Sequence, residues 1–251
     1  MSVVARVRSE FVASWHAFLR RRTAVFFTFF FPAIIVVIFG ALVQTQPTGG
    51  GLFAEPREYY IAGYLAVVVL FTPLSRVGST IARHREGSRF EKLATTPLSR
   101  AVWLLAHSLV NVVVIGLAAL LLLALSALVT GASIPLTPAT LAIVPFVALG
   151  VTLFCGLGAV IGSVADSQDG VIAASNAIAL PLLFLSETFV TPDLLPAWFV
   201  PALNLSPLTY FARGVRALTY GGGDWLTNLA VLAALAVAFF AAGTVAIPRT
   251  D

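Results

Sequence analysis

An all-α, polytopic membrane protein with six transmembrane helices is the fold that three features of this sequence predict. Hydrophobic residues fill 59% of its 251 positions and charged residues only 10%, against about 25% charged in an ordinary soluble domain. The mean hydropathy is +0.97, and a soluble fold of this length has no core large enough to hide so much apolar surface, so lipid must serve as solvent. The apolar residues also fall into six runs, each near the roughly 20 residues that cross a hydrocarbon layer at about 1.5 Å per residue.

The first element precedes these runs. Val3, Val7, Phe11, Trp15 and Leu19 recur every four residues, with Val4, Val12 and Phe18 beside them and Arg6, Glu10 and Arg20 elsewhere around the helix. Residues 1–23 are therefore expected to form an amphipathic helix in the membrane interface, with Phe11 and Trp15 facing acyl chains. A six-span domain over 24–251 follows. Its spans are Ala24–Val43, about Tyr59–Ala82, Val102–Val129, Ala139–Val164, Val171–Val190 and Leu226–Ile247. The long segment before Ala24, with no small-residue cleavage pattern after Val43, marks the first run as a retained span rather than a signal peptide.

Charge sets the orientation. Of the 15 Lys and Arg residues, eleven lie in the N-terminal segment, the segment after span two and the C-terminus. Arg57, Arg213 and Arg216 lie on the other side, and Arg76, inside span two, can snorkel toward Arg83. Both termini and residues 83–101 are then cytoplasmic, in a multi-pass protein of the plasma (cell) membrane. The net charge of +4 fits arginines beside anionic lipid, and no nucleic-acid partner is expected.

Residues 85–100, REGSRFEKLATTPLSR, carry six charges between two long apolar runs. Ser88-x-x-Glu91 has the form of a capping box, Gly87 permits a sharp entry, and Pro97 biases Thr96 out of the helical region. A two-turn helix, Arg89–Thr95, is expected, with Phe90, Leu93 and Ala94 on one face and Arg89, Glu91 and Lys92 around the rest. So short a helix is not stable alone. Physics leaves two readings equally open: an exposed Phe90 that plugs a partner's groove, or a solvated loop.

Between spans four and five lies SVADSQDG, residues 163–170. Within span four, Gly158-x-x-x-Gly162 permits close helix approach, expected within one chain rather than at a dimer seam. The outer segment, 187–224, contains prolines at 192, 196, 201 and 207, which prevent a continuous span. Trp198, Tyr210, Tyr220 and Trp225 suit a membrane interface. Short outer helices or a re-entrant hairpin are expected here, before the last span.

Several chemistries are absent. Cys155 is the single cysteine, which excludes an intrachain disulfide and a thiolate metal cluster. His16, His84 and His107 are scattered, and no H-E-x-x-H or G-x-S-x-G pattern occurs. The single lysine, Lys92, follows Glu91, so no phosphate-binding G-x-x-x-x-G-K-[ST] loop exists. A membrane-embedded hydrolase and a secondary transporter stand as the rival classes. The second would place carboxylates near the bilayer midplane, whereas Glu187 lies toward the outer end of span five and Asp166 and Asp169 lie in a turn. His107, Asn111 and Asn176, the polar residues within spans, are explained by interhelical hydrogen bonds.

Two stretches resemble one family. Glu86, Gly87, Glu91, Leu93, Thr96, Pro97, Leu98, Ser99 and Arg100 match an "E-x-G-T-x-E-x-L-x-x-T-P-L-S-R"-like run, with Ser88 in place of the commoner Thr and one extra residue between Gly87 and Glu91. Pro192, Leu195, Pro196, Trp198, Leu205, Pro207, Leu208, Thr209, Tyr210 and Arg216 match a second pattern. Both resemble the permease subunits of type-2 ABC (ABC-2) exporters. The resemblance implies a cytoplasmic coupling helix carrying Glu86, Gly87, Ser88, Phe90, Glu91, Leu93, Thr96 and Pro97. It also implies an outer gate with Pro192, Pro196, Trp198, Pro207, Tyr210 and Arg216, and a second, smaller ATPase contact at 163–170. The implied partners are two copies of an ABC ATPase subunit and a second permease subunit, identical or not. No cofactor is expected on this chain, ATP and Mg being held by the partner, and the chain itself is not expected to be an enzyme. Its apolar spans favour a lipid-like, drug-like or glycan-lipid cargo over an ion.

Overall fold

The computed structural model describes residues 2–38, 55–96, 98–135, 137–189, 191–192 and 195–248, and among them there is no β-strand. These residues form nine α-helices in chain order: α1 Val3–Leu19, α2 Arg22–Ile35, α3 Arg57–Glu86, α4 Arg89–Ala94, α5 Arg100–Leu125, α6 Ile143–Val164, α7 Gln168–Phe184, α8 Pro207–Thr219 and α9 Trp225–Ala246. A wide turn, Ser126–Thr130, extends α5, and tight 3₁₀ turns at Pro138–Ala142 and Val200–Leu205 lead into α6 and α8.

Among the described residues, four helices are long and apolar enough to cross a membrane, fewer than the six expected spans: α3, α5 with its extension, α6 with its lead-in, and α9. A fifth is counted if α1 and α2, bent by 81°, form one broken span. The bend falls at Arg21, whose backbone (φ −92°, ψ 75°) leaves the helical region. The first expected span, Ala24–Val43, is helical as far as residue 38, and its remainder lies outside the described residues. The fifth, Val171–Val190, is cut short at Phe184, in a helix of 17 residues that begins at Gln168. The reason is tertiary: Leu185 starts a turn, and the Glu187 and Thr188 carbonyls bond to Arg216 instead of continuing the helix.

The N-terminal helix exists, but its aromatic stripe is turned partly inward. Phe18 is buried, and Phe11 and Trp15 are half-buried against the core rather than wholly facing outward. Their rings lie 6.4 Å apart and parallel. Ser14 Oγ meets His107 Nε2 of α5 at 3.2 Å. The apolar stripe is broad enough to serve two neighbours: Val3, Val4, Val12 and Leu19 stay exposed, as do Phe26, Phe27, Phe30 and Phe31 on α2.

The core is built on α3, buried along most of its length, and on α6, which lies between α3 and α9. Glycines set both crossings. A Cβ on Gly158 would strike the Leu74 carbonyl and one on Gly162 the Gly78 carbonyl, while on the other side Gly156 meets the backbone of Phe239 and Gly243 that of Gly156. The Gly158–Gly162 seam therefore lies within the chain. Close approach of this kind supplies packing where lipid offers no hydrophobic drive between helices.

Candidate functional site

At one end of the bundle, α3 stops at Glu86 and α4 begins at Arg89, so two residues must reverse the chain. The expected capping box at Ser88 is not formed. Gly87 stays at φ −96°, and the left-handed conformation falls on Ser88, at φ 49°, with no capping bond from its side chain. A left-handed Ser costs about 1–2 kcal/mol relative to ordinary backbone. The short reversal imposes it, and the expected capping bond is lost with it. The helix itself, Arg89–Ala94, falls where the sequence places it. It closes with the Thr95 hydroxyl donating to Lys92 O (2.8 Å) and the Thr96 hydroxyl to Leu93 O (2.7 Å). Pro97 and the Ala94 side chain lie outside the described residues.

Phe90 does not project as an exposed plug. It is 9% exposed, edge-on to the His84 ring at 5.5 Å and the Trp103 ring at 5.8 Å. Leu93 is half-buried beside the core. The two-turn helix needs a surface to pack on, and α3 and α5 supply it within the chain. What α4 and its ends present outward is Arg89, Glu91, Lys92, Thr95 and Thr96. The sequence reading missed Trp103 as the anchor. Its signal is the four-residue spacing to His107, which lets the two rings stack at 3.8 Å.

The flanking charges tie this end of the bundle together. Arg85 Nη1 donates to Ala165 O (2.8 Å) and Gly162 O (3.4 Å), meeting the carbonyls left open where α6 ends. Glu86 accepts from Gln168 N (3.2 Å) and Nε2 (3.4 Å) at the start of α7. Arg100 Nη1 does for α9 what Arg85 does for α6, reaching Ile247 O (2.7 Å) and Val245 O (3.1 Å). Through these bonds the segment around α4 holds α6, α7 and α9, and residues 163–170 lie directly beside it.

At the opposite end, α8 starts with the buried Pro207 in its first turn, where a missing N–H costs nothing. Arg213 and Arg216, one turn apart on α8, both reach the end of α7. Arg213 grips the Glu187 carboxylate with two nitrogens, Nε at 2.8 Å, and donates through Nη1 to Asn204 Oδ1 at 2.8 Å. That bond to Glu187 pushes the Arg213 guanidinium above its usual range. Arg216, 8% exposed, donates to Glu187 O (2.6 Å) and lies 3.7 Å over the Tyr59 ring. The Tyr210 hydroxyl donates to Asn204 O at 2.9 Å.

Of the expected outer residues, Tyr210 and Arg216 thus belong to one bonded cluster, and Pro207 is buried at the start of the helix that carries them. Pro192 is half-buried, while Pro196 and Trp198 (78% exposed) sit on the rim outside it. Glu187, Arg213, Asn204 and Tyr59 were not among the expected site residues, although two arginines at i and i+3 near a lone acid in an apolar stretch were a visible signal. Among the described residues no His, Cys, Asp and Glu group of three or more could hold a metal.

The ion pair yields an asymmetric expectation. Arg213→Ala leaves the Glu187 side chain, 6% exposed, without its counter-charge and should cost about 3 kcal/mol. Glu187→Ala leaves an arginine whose side chain is 32% exposed and reaches water, so its cost should be nearer 1 kcal/mol. Thermal midpoints of the two variants in detergent test the order.

Apart from Val245 and Ile247, the residues just described fall within a stretch that matches a known family. Residues 7–220 match the family model described as ABC-2 type transporter. The chain is 28% identical over 211 residues to the daunorubicin resistance ABC transporter permease protein DrrB1 of Streptomyces coeruleorubidus, covering 80% of this chain and 72% of that protein. It is 25% identical over 228 residues to the putative transport permease ycf38 of Porphyra purpurea, covering 89% of this chain and 75% of that protein.

Proposed function

We propose, for a chain that belongs to the ABC-2 type transporter family, the role of membrane permease in an ATP-driven exporter, coupled to a separate ATPase subunit. The observation that carries the reading is the join around α4. Its outward face is polar and free, its inward face is locked on Trp103, and its flanks bond to the ends of α6, α7 and α9. A push on α4 would reach three helices at once. In this reading α4 is the coupling helix, and residues 163–170 form a second contact for the ATPase. A partner can bias the pore only if its two states favour two pore conformations differently. A rigidly bonded handle makes such a bias mechanically possible.

Two ATPase copies, holding ATP and Mg, would dock at this end, and a second permease subunit would complete the pore. Both termini would be cytoplasmic, in the plasma membrane, and the Arg213–Glu187–Arg216 cluster would brace an outer gate. The cargo class to try first is an amphipathic, drug-like molecule, because one relative is named for daunorubicin resistance. The secondary-transporter alternative loses support from Glu187, which is committed to Arg213.

The test is co-expression with the cognate ATPase, purification in detergent, and ATPase assay with and without drug-like cargo. The chain alone should turn over no ATP, and the complex should be stimulated by cargo. Turnover by the homogeneous chain, abolished by substitutions in it, would overturn the subunit reading. For orientation, a cysteine at Ser88 should label from the cytoplasm and one at Trp198 from outside; labelling from the same side would refute the topology.

A further inference from the structure

Between the α1–α2 elbow and the α3–α5 pair lies a cleft of about 750 Å³ that reaches Arg83 and Arg89 beside α4. Its polar wall holds four arginines, Arg21, Arg76, Arg83 and Arg89, against a single acid, Glu10. Glu10 is turned to His107 Nδ1, at 3.9 Å. Among the described residues none of the four arginines forms an ion pair. Arg83 Nη2 bonds to the Thr80 hydroxyl, at 3.3 Å. Arg76 is the least satisfied: its guanidinium lies 4.2 Å over the Phe18 ring, and its Nη1 is buried with no acceptor from the protein.

A buried donor without a partner is expensive, and a buried charge without a counter-charge more so. The protein supplies neither. Water could accept the hydrogen bond but could not neutralise the excess of positive charge. A phosphate oxyanion could do both, accepting from two or more guanidinium groups with charge-assisted bonds. The cleft's other wall is apolar, with Phe27 and Phe31 of α2 reaching into it. A phosphate at the arginines and a hydrocarbon tail along the phenylalanines together match its two walls.

We propose that this cleft is a binding site for a phosphate-bearing anion, held by Arg76 and Arg83 beside the α4 segment. The shared chemistry is the phosphate, and its source is either a membrane phospholipid headgroup or a soluble phosphate. The inference goes beyond the permease reading and does not depend on it. If the chain proved to couple to no ATPase, the cleft and its unpaired arginines would remain.

The test uses the full chain, purified and delipidated in detergent. One arm adds phosphatidylglycerol and reads bound lipid by native mass spectrometry. The other adds inorganic phosphate or pyrophosphate and reads the thermal midpoint. Arg83→Gln, at a half-buried position on the cleft wall, should weaken binding roughly tenfold, and Arg76→Gln with it further still. Arg8→Gln, exposed on α1 and outside the cleft, should change nothing. Arginine-dependent binding in the lipid arm assigns the source to a headgroup, and in the soluble arm to free phosphate; either supports the site. Binding in neither arm, or binding that Arg83→Gln leaves intact, overturns it. Should Arg76→Gln fail to fold, Arg83→Gln alone decides the question.

Discussion

Gly158→Val should destabilise the bundle by about 3 kcal/mol or more, the upper range for overpacking a core, because nothing near it can give way. The new side chain meets the backbone of Leu74, carbonyl and Cα together, rather than the far end of a flexible side chain. To fit it, α6 must move off α3, and the neighbouring contact of Gly162 with Gly78 is lost with it. Gly116→Ala on α5 is the internal control. Nothing lies within 4 Å of its new Cβ, so replacing glycine in a helix should be neutral or stabilising by up to about 1 kcal/mol. Size-exclusion profiles and thermal midpoints of both variants in detergent check the pair. A Gly158→Val protein as stable as its parent would mean that the α3–α6 crossing is wider than described.

The second large effect is expected at Phe90, by a route that the sequence did not show. Phe90 anchors α4 on Trp103 and His84. Phe90→Ala should remove about 3 kcal/mol, the low end for truncating a buried phenylalanine, and Phe90→Asp should lose more by placing a charge in that contact. A six-residue helix has little stability of its own, so the loss falls on the segment and not on the bundle. The expected result is fast amide exchange over residues 89–96, with the thermal midpoint of the spans nearly unchanged. ATPase binding and transport should fall sharply, most of all for Phe90→Asp. Normal protection of residues 89–96 in Phe90→Asp would rule out the anchor.

How far the sequence could be read varied with the kind of interaction. Hydropathy located the long spans, because burying about 20 apolar residues in lipid is a property of the segment itself. The position of α4 was also legible locally, from Gly87 and Ser88 at one end and Pro97 at the other. Phe90 was read with its correct helical neighbours but the wrong destination, since periodicity gives a face and not its partner. Ser88 failed as a cap because the two-residue reversal, a tertiary demand, overrode a local motif. The shortening of span five was invisible for the same reason. Its cause is Arg216, 29 residues beyond Glu187, taking carbonyls that a helix would otherwise use. Arg85 and Arg100 read as orientation charges, while their bonds to α6 and α9 come from segments about 80 and 145 residues away.

The central claim is that the outward face of α4 is where an ATPase engages this chain. Lys92, exposed on that face, should cross-link as Lys92→Cys to the co-expressed ATPase subunit through a short thiol-to-amine reagent, with a yield that changes when nucleotide is added. Ser133→Cys, at the opposite end beside Glu58, should give no such product. If Lys92→Cys yields no cross-link while the ATPase still co-purifies, or if replacing residues 88–96 by a glycine–serine linker leaves the complex and its transport intact, then α4 is not the handle and the coupling account is wrong.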